Sequence, residues 1–261
     1  MKARFLLLTA LMACPASYLL AQGNYEVQVY GSELVDPGVT MVELHSNFTF
    51  EGSKTTTDGS YPTQHQLHET IEITHGFNDW FETGFYVFTS ADSRNGWQWV
   101  GNHIRPRISV PKSKHLPVGL SLSAEFGYQR AAFSPDTWTL ELRPIIDKDF
   151  GKLYLCFNPT VDRSFHGPGV HGGLGFSPNF KAGYDFSKKV NAGLEYYGAL
   201  GPLTGFDPLR DQQQQIYLVT DLNLSPNWEF NFGVGVGMTS STDHILVKMI
   251  LGRRFSWGKT K

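Results

Sequence analysis

The sequence predicts an all-β chain, a transmembrane antiparallel up-and-down β-barrel of about 12 strands with short turns at one end and longer loops at the other. Three observations carry this. Apolar side chains recur at every second position along most of the 261 residues, the period of a strand with one apolar face. The stretches that alternate in this way are even in number, and tight turns and longer polar loops take turns in joining them. Tryptophans and several tyrosines fall near strand ends, where the interfacial girdles of membrane barrels lie.

Residues 1–21 read as an export signal, with Lys2 and Arg4 as the positive region, an apolar core over 5–13 and cleavage after Ala21. A competing reading takes Leu11-Met12-Ala13-Cys14 as a lipoprotein box with Cys14 lipidated. Residues 22–38 form an extended lead, in which Tyr25, Val27 and Val29 alternate. Its expected place is the barrel lumen or the rim. The barrel itself is assigned to 39–255 and a tail to 256–261.

The first strand, 39–50, sets Val42, Leu44, Phe48 and Phe50 against Glu43, His45, Asn47 and Thr49. After a polar loop, 65–75 returns with Leu67, Ile71 and Ile73 outward, and Glu69 on that apolar face is tolerable only near a membrane boundary. A turn through Asn78 and Asp79 leads into 80–89, and 97–110 then sets Ile104, Pro106 and Ile108 against His103, Arg105 and Arg107. The cleanest alternation is 118–129. Strands follow over 138–146, 153–164, 174–184, 190–199 and 214–224, with turns expected at 147–151 and 185–189.

The closing hairpin is the most informative stretch. Phe230, Phe232, Val234, Val236 and Met238 alternate with Glu229, Asn231 and three glycines, so the bulk lies on one face and the other face is crowded or hidden. The chain returns with Ile245, Val247, Met249 and Leu251 opposite His244, Lys248 and Arg254, and ends the strand on Phe255. A barrel has to close with such an apolar-out, polar-in pair.

Composition agrees. There are 22 Lys and Arg against 24 Asp and Glu, and removal of Lys2 and Arg4 with the signal leaves 20 against 24, about −4. No basic field calls for nucleic acid. Cys156 alone would remain after cleavage, so no intramolecular disulfide is expected. The chain after the signal has no apolar run near the roughly 18 residues of a spanning helix.

The inward set of the predicted barrel is charged. Its acids are Glu43, Glu72, Glu125, Glu141, Asp162, Glu195 and Asp221, and its bases are Arg105, Arg107, Arg143, Lys181 and Lys248. One reading makes these a pore lining, with the three arginines flanking Glu125 and Glu141 as a selectivity constriction. The other has opposite charges zip a narrow lumen shut, and the sequence leaves the two open. His65 with His68, on opposite strand faces, and His166 with His171, in a loop, match no ligand spacing, so no metal or cofactor is expected. No catalytic motif is present, and Ser164-Phe165-His166 reads as loop.

Gly76-Phe77-Asn78-Asp79-Trp80-Phe81-Glu82, Asp185-Phe186-Ser187-Lys188-Lys189 and Asn223-Leu224-Ser225-Pro226-Asn227-Trp228-Glu229 resemble periplasmic turns of bacterial outer-membrane barrels grouped as the meta-pathway phenol-degradation family. The resemblance implies an outer-membrane barrel that transports small solutes, aromatic compounds among them, and brings no catalytic residues. The expected partners are outer-membrane lipid, small solutes and the barrel-assembly machinery. Two alternatives stand beside a channel. One is a plugged structural or surface-binding barrel acting through its loops. The other is a secreted soluble β-sandwich, suggested by Glu69 and by prolines at 106, 144, 159 and 178 on the outward face.

Overall fold

Alternating side chains give each strand one apolar and one polar face, and the sheet they form curls until its edges meet. The computed structural model describes residues 25–57 and 59–256. The export signal, Cys14 and residues 257–261 of the expected tail lie outside the described residues. Along the chain run β1 (Val39–Glu51), β2 (Leu67–Asn78), β3 (Phe81–Asp92), β4 (Gly96–Ser109), β5 (Gly119–Gln129) and β6 (Trp138–Phe150). They are followed by β7 (Leu153–His166), β8 (Gly175–Ser187), β9 (Val190–Ala199), β10 (Gln213–Leu222), β11 (Trp228–Gly237) and β12 (Ile245–Ser256). Every strand pairs antiparallel with its chain neighbours, and β1 pairs with β12, so no edge is left open.

The outer face is apolar all the way round. Ile71, Ile104, Leu142, Phe180, Leu218 and Val234 are exposed on six different strands. A soluble protein does not present a continuous band of this kind, and a lipid-facing barrel must. Trp97, Trp99 and Trp138 stand at the loop end of this band, and Trp80 and Trp228 at the turn end. The sandwich reading is thereby corrected: there is one closed sheet and no second sheet to share a dry face. Glu69 sits two residues into β2 at the loop end, where Ser46 Oγ lies 2.7 and 2.8 Å from its two carboxylate oxygens.

Three of the four outward prolines sit at local gaps in a ladder, and the fourth, Pro178, lies just outside the β8–β9 register, which begins at Asn179↔Tyr197. Pairing of β6 with β7 lapses between Leu142↔Val161 and Ile146↔Phe157, the stretch that holds Pro144 and Pro159. Pairing of β4 with β5 lapses likewise around Pro106. A proline has no N–H to donate, so the ladder yields there while the barrel stays closed. Two expected turns are shorter than read, because β6 runs on to Phe150 and β8 to Ser187. Asp147 continues the inward series and holds Ser32, so it belongs to the strand. One loop-end connection is also tight: Asp92 Oδ1 accepts from the backbone N–H of Arg94 and of Asn95, each at 2.7 Å, and closes a three-residue turn. The last strand reaches Ser256, which pairs with Val39, one residue past the expected boundary.

The glycine face of β11 is explained by what lies against it. A Cβ at Gly235 would strike the ring of Tyr217, and one at Gly233 would meet the Lys248 stem and Val219. The absent side chains make room for large inward groups on β10 and β12.

Candidate functional site

Residues 25–36 run through the lumen from the loop half toward the turn end without joining the sheet. Their backbone is held by side chains of the wall. Thr70 Oγ1 donates to Tyr25 O at 2.7 Å, and Lys248 Nζ to Val27 O at 3.0 Å. Tyr30 donates its N–H to Asn158 Oδ1 at 2.9 Å and accepts at its carbonyl from Asn158 Nδ2 at 3.0 Å. Arg107 Nη1 donates to Gly31 O at 3.1 Å, Ser32 N donates to Asp147 Oδ2 at 2.6 Å, and Val35 N to Glu82 Oε2 at 2.7 Å. Tyr25, Glu26, Val27, Val29, Tyr30 and Ser32 are all buried.

The wall around this lead is both charged and apolar. Val27, Val29 and Tyr30 pack with Ile145, Cys156, Tyr197, Tyr217, Val219 and Leu246. Nearer the loops, Tyr25 packs with Tyr86, Phe88 and Val100, and Phe133 of the 130–137 loop lies against that cluster. Val100 faces inward because a register shift between Phe88 and Thr89 leaves it unpaired on β4.

All twelve charged residues assigned to the lumen belong to the inward-facing alternation of their strands. Their partners differ from the expected ones. Arg105 Nη2 meets Glu72 Oε1 at 2.5 Å, and its Nη1 meets Glu82 Oε1 at 3.4 Å. Arg107 Nε lies 2.8 Å from the same Glu82 oxygen. Arg143 bridges Glu141 at 2.5 Å and Glu26 of the lead at 3.6 Å, whereas Glu125 pairs with His103 at 2.5 Å. The three arginines therefore do not flank Glu125 and Glu141 together. Instead their guanidinium carbons surround the ring of Tyr30, at 4.9 Å for Arg105, 6.0 Å for Arg107 and 4.5 Å for Arg143. Tyr30 also bonds through its hydroxyl to Glu26.

Across the lumen lies a second cluster. Lys181 Nζ is 3.1 Å from Glu195 and 2.8 Å from Asp221, and Lys248 pairs with the other oxygen of Glu195. Asp162 accepts from Ser177 Oγ at 3.4 Å, and Glu43 lies opposite Glu72 in the β1–β2 ladder. At the turn end the lumen widens into a cavity of about 630 Å³. Its charged lining consists of Glu33, Asp147, Asp149, Asp185, Asp221 and Glu229 against only Lys181 and Arg254, so this mouth is acidic.

No protein-family model matches the sequence, and no curated protein matches it. Solved structures do. An outer membrane channel from Pseudomonas putida F1 superposes with a TM-score of 0.64 at 8% identity, covering 88% of this chain and 100% of the channel. The NanC porin superposes at 0.54 and 7% identity, covering 81% of this chain and 97% of the porin. The fold is that of an outer-membrane β-barrel. At such identities the likeness is one of fold, and the resemblance to the phenol-degradation family continues to rest on the turn signatures alone.

In this barrel, several residues central to the lumen escaped the reading by alternation. Glu82 shares the inward alternation of Gly84 and Tyr86 on β3, and that spacing is the signal that places it. Glu26 and Tyr30 lie in a lead too short to score as a strand. His45 and Glu43 share a strand face, but only the β1–β2 register places Glu72 beside them.

Proposed function

We propose that the protein is an outer-membrane channel for small solutes whose own N-terminal lead occupies the lumen as a separable plug. One observation carries the reading: the lead is bound by wall side chains, outside the strand ladders, so that β1 to β12 close without it. Withdrawal would uncover a polar passage ending in the acidic mouth. Residues 1–21 direct export, the assembly machinery inserts the barrel, the tight turns face the periplasm and the longer loops the exterior. Arg105, Arg107, Arg143, Glu125, Glu141, Glu43, Glu72, Asp162, Lys181, Glu195, Asp221 and Lys248 then line the pore. Solutes that include aromatic compounds fit the arginine cluster, which already accepts one aromatic ring, that of Tyr30, among three guanidinium groups.

A second reading, a plugged structural or surface-binding barrel, is favoured by the burial of the lead and by the cover that Phe133 gives Tyr25. Planar-bilayer recording separates the two. The full mature chain is expected to conduct rarely, and a variant lacking residues 22–36 to conduct steadily, with an ion preference that shifts on Arg105→Ala or Arg143→Ala. A lead-less barrel that migrates as folded in a heat-modifiability gel and yet never conducts would sink the channel reading. Liposome uptake of phenol against that of a sugar of similar mass tests the aromatic preference.

A further inference from the structure

A further group on β1 and β2 includes two of the proposed lining residues, and neither the plug nor the passage explains why it is drawn so close together. Glu43 and His45 are two residues apart on β1 and therefore share its inner face, and Glu72 on β2 is the direct ladder partner of Glu43. A ring nitrogen of His45 and one carboxylate oxygen from each glutamate lie within 4.8 Å of one another. His45 and Glu72 are fully buried, and Glu43 nearly so. We propose that these three residues bind a first-row divalent cation of the zinc type.

Two independent features of the cluster favour a bound cation. Both ring nitrogens of His45 are buried without a hydrogen-bond partner, and Nε2, 3.3 Å from Glu72 Oε2, is the one turned toward the carboxylates. A buried imidazole nitrogen left so is costly in a folded protein, and a metal ion satisfies it through the lone pair. The other feature is charge. Like charges directly opposite in an antiparallel pair destabilise the sheet. Arg105 makes its ion pair with Glu72, and among the described residues no cation lies within ion-pair distance of Glu43, on which Arg105 and Arg254 act only from farther away. A cation between the two carboxylates removes the repulsion.

The surroundings orient the donors. Glu72 Oε1 accepts from Arg105 Nη2 at 2.5 Å and from Thr74 Oγ1 at 2.6 Å, which leaves Oε2 turned toward His45. Outer hydrogen bonds of this kind set the direction of a ligating carboxylate. One imidazole with two carboxylates suits zinc and its first-row neighbours, with water completing the shell, whereas magnesium and calcium favour all-oxygen sites. Access is from the acidic mouth. Glu229, which lines that cavity, and Glu43 both pair with Gly252, so only a residue without a side chain separates them.

The test uses the full mature chain, folded in detergent and stripped with a chelator, titrated with Zn²⁺ by calorimetry and in parallel with Mg²⁺. One Zn²⁺ per barrel is expected, with a rise in unfolding temperature. His45→Gln and Glu43→Gln should each weaken binding by roughly ten-fold or more, and Mg²⁺ should produce little heat. X-ray absorption at the zinc edge should show nitrogen and oxygen neighbours including one imidazole, a readout that requires no variant to fold. The proposal is overturned if the wild type takes up no Zn²⁺, if folded variants bind it as tightly as the wild type, if Mg²⁺ binds equally well, or if the edge spectrum shows sulfur or no imidazole. None of these outcomes depends on whether the barrel conducts.

Discussion

The two charged clusters of the lumen carry the same kinds of ion pair and do different work. On the arginine side, spread over β2 to β6, the cations reach inward and divide their contacts between wall carboxylates and the lead: Arg107 binds Gly31 O, Arg143 meets Glu26, and all three surround Tyr30. On the lysine side, over β8 to β12, Lys181 and Lys248 share Glu195, and among the described residues one bond from these two lysines, Lys248 to Val27 O, reaches the lead. Guanidinium forks can hold a carboxylate and a ring face together, whereas an ammonium is a compact point charge. The difference teaches that one wall is built to grip the plug and the other to hold itself together.

The sharpest way to break that contrast is to remove one cation from each side. Arg105→Ala takes from buried Glu72 its only arginine partner among the described residues, and from Glu82 the longer of two, Arg107 remaining. Removing one partner of a buried pair costs about 3–5 kcal/mol. Lys248→Ala leaves Glu195 with Lys181 at 3.1 Å, so its expected cost is nearer the roughly 1.5–3 kcal/mol of a charged hydrogen bond. Denaturant unfolding of the two variants in lipid vesicles measures both. Equal losses would mean that the lysine side is no more self-sufficient than the arginine side.

A smaller effect separates grip from stability. Tyr30→Leu removes the ring from among three guanidinium groups, each such contact being worth about 0.5–2 kcal/mol, while leaving the Arg105–Glu72 pair in place. The lead should then leave its seat more often. Cys156, buried at 1% exposure beneath Tyr30 O, reports the event through its rate of modification by a thiol reagent. That rate should rise in Tyr30→Leu and stay near the wild-type value in Asp221→Asn, which alters the lysine cluster away from the lead. A rise in both would show that the two clusters seat the plug jointly.

Much of this arrangement is legible in the sequence, for a definite reason. A period of two says which face each residue takes, so Arg105, Glu125 and Lys248 could be placed inside before any fold was known. The same period says nothing of register, which decides who meets whom: some lumen partners face each other across one ladder, as Arg107 and Glu82 do, and others sit two strands apart, as Lys181 on β8 and Asp221 on β10 do. Hence the inward set was legible and its pairing was not: Glu125 finds His103, and Arg143 reaches across to Glu26. The lead was legible as extended chain, but its seat depends on Asn158, Thr70 and Lys248 from three distant strands. Nothing local in 25–36 specifies that meeting.

The smallest expected effect lies where the lead leaves the arginine cluster. Ser32 is bound twice to Asp147, by its N–H to Oδ2 at 2.6 Å and by its hydroxyl to Oδ1 at 2.7 Å. Ser32→Ala removes the second bond and keeps the first, so Asp147 is not left unpaired. A hydrogen bond to a carboxylate contributes about 1.5 kcal/mol at the low end, which corresponds to roughly a ten-fold change in an equilibrium. If the lead opens as one unit, Cys156 modification should accelerate by about that factor in Ser32→Ala, even though Ser32 does not touch the thiol. If it frays from the turn end instead, Ser32→Ala should loosen only the contacts below Tyr30 and leave the Cys156 rate unchanged. The arginine cage alone would then decide whether the lumen opens.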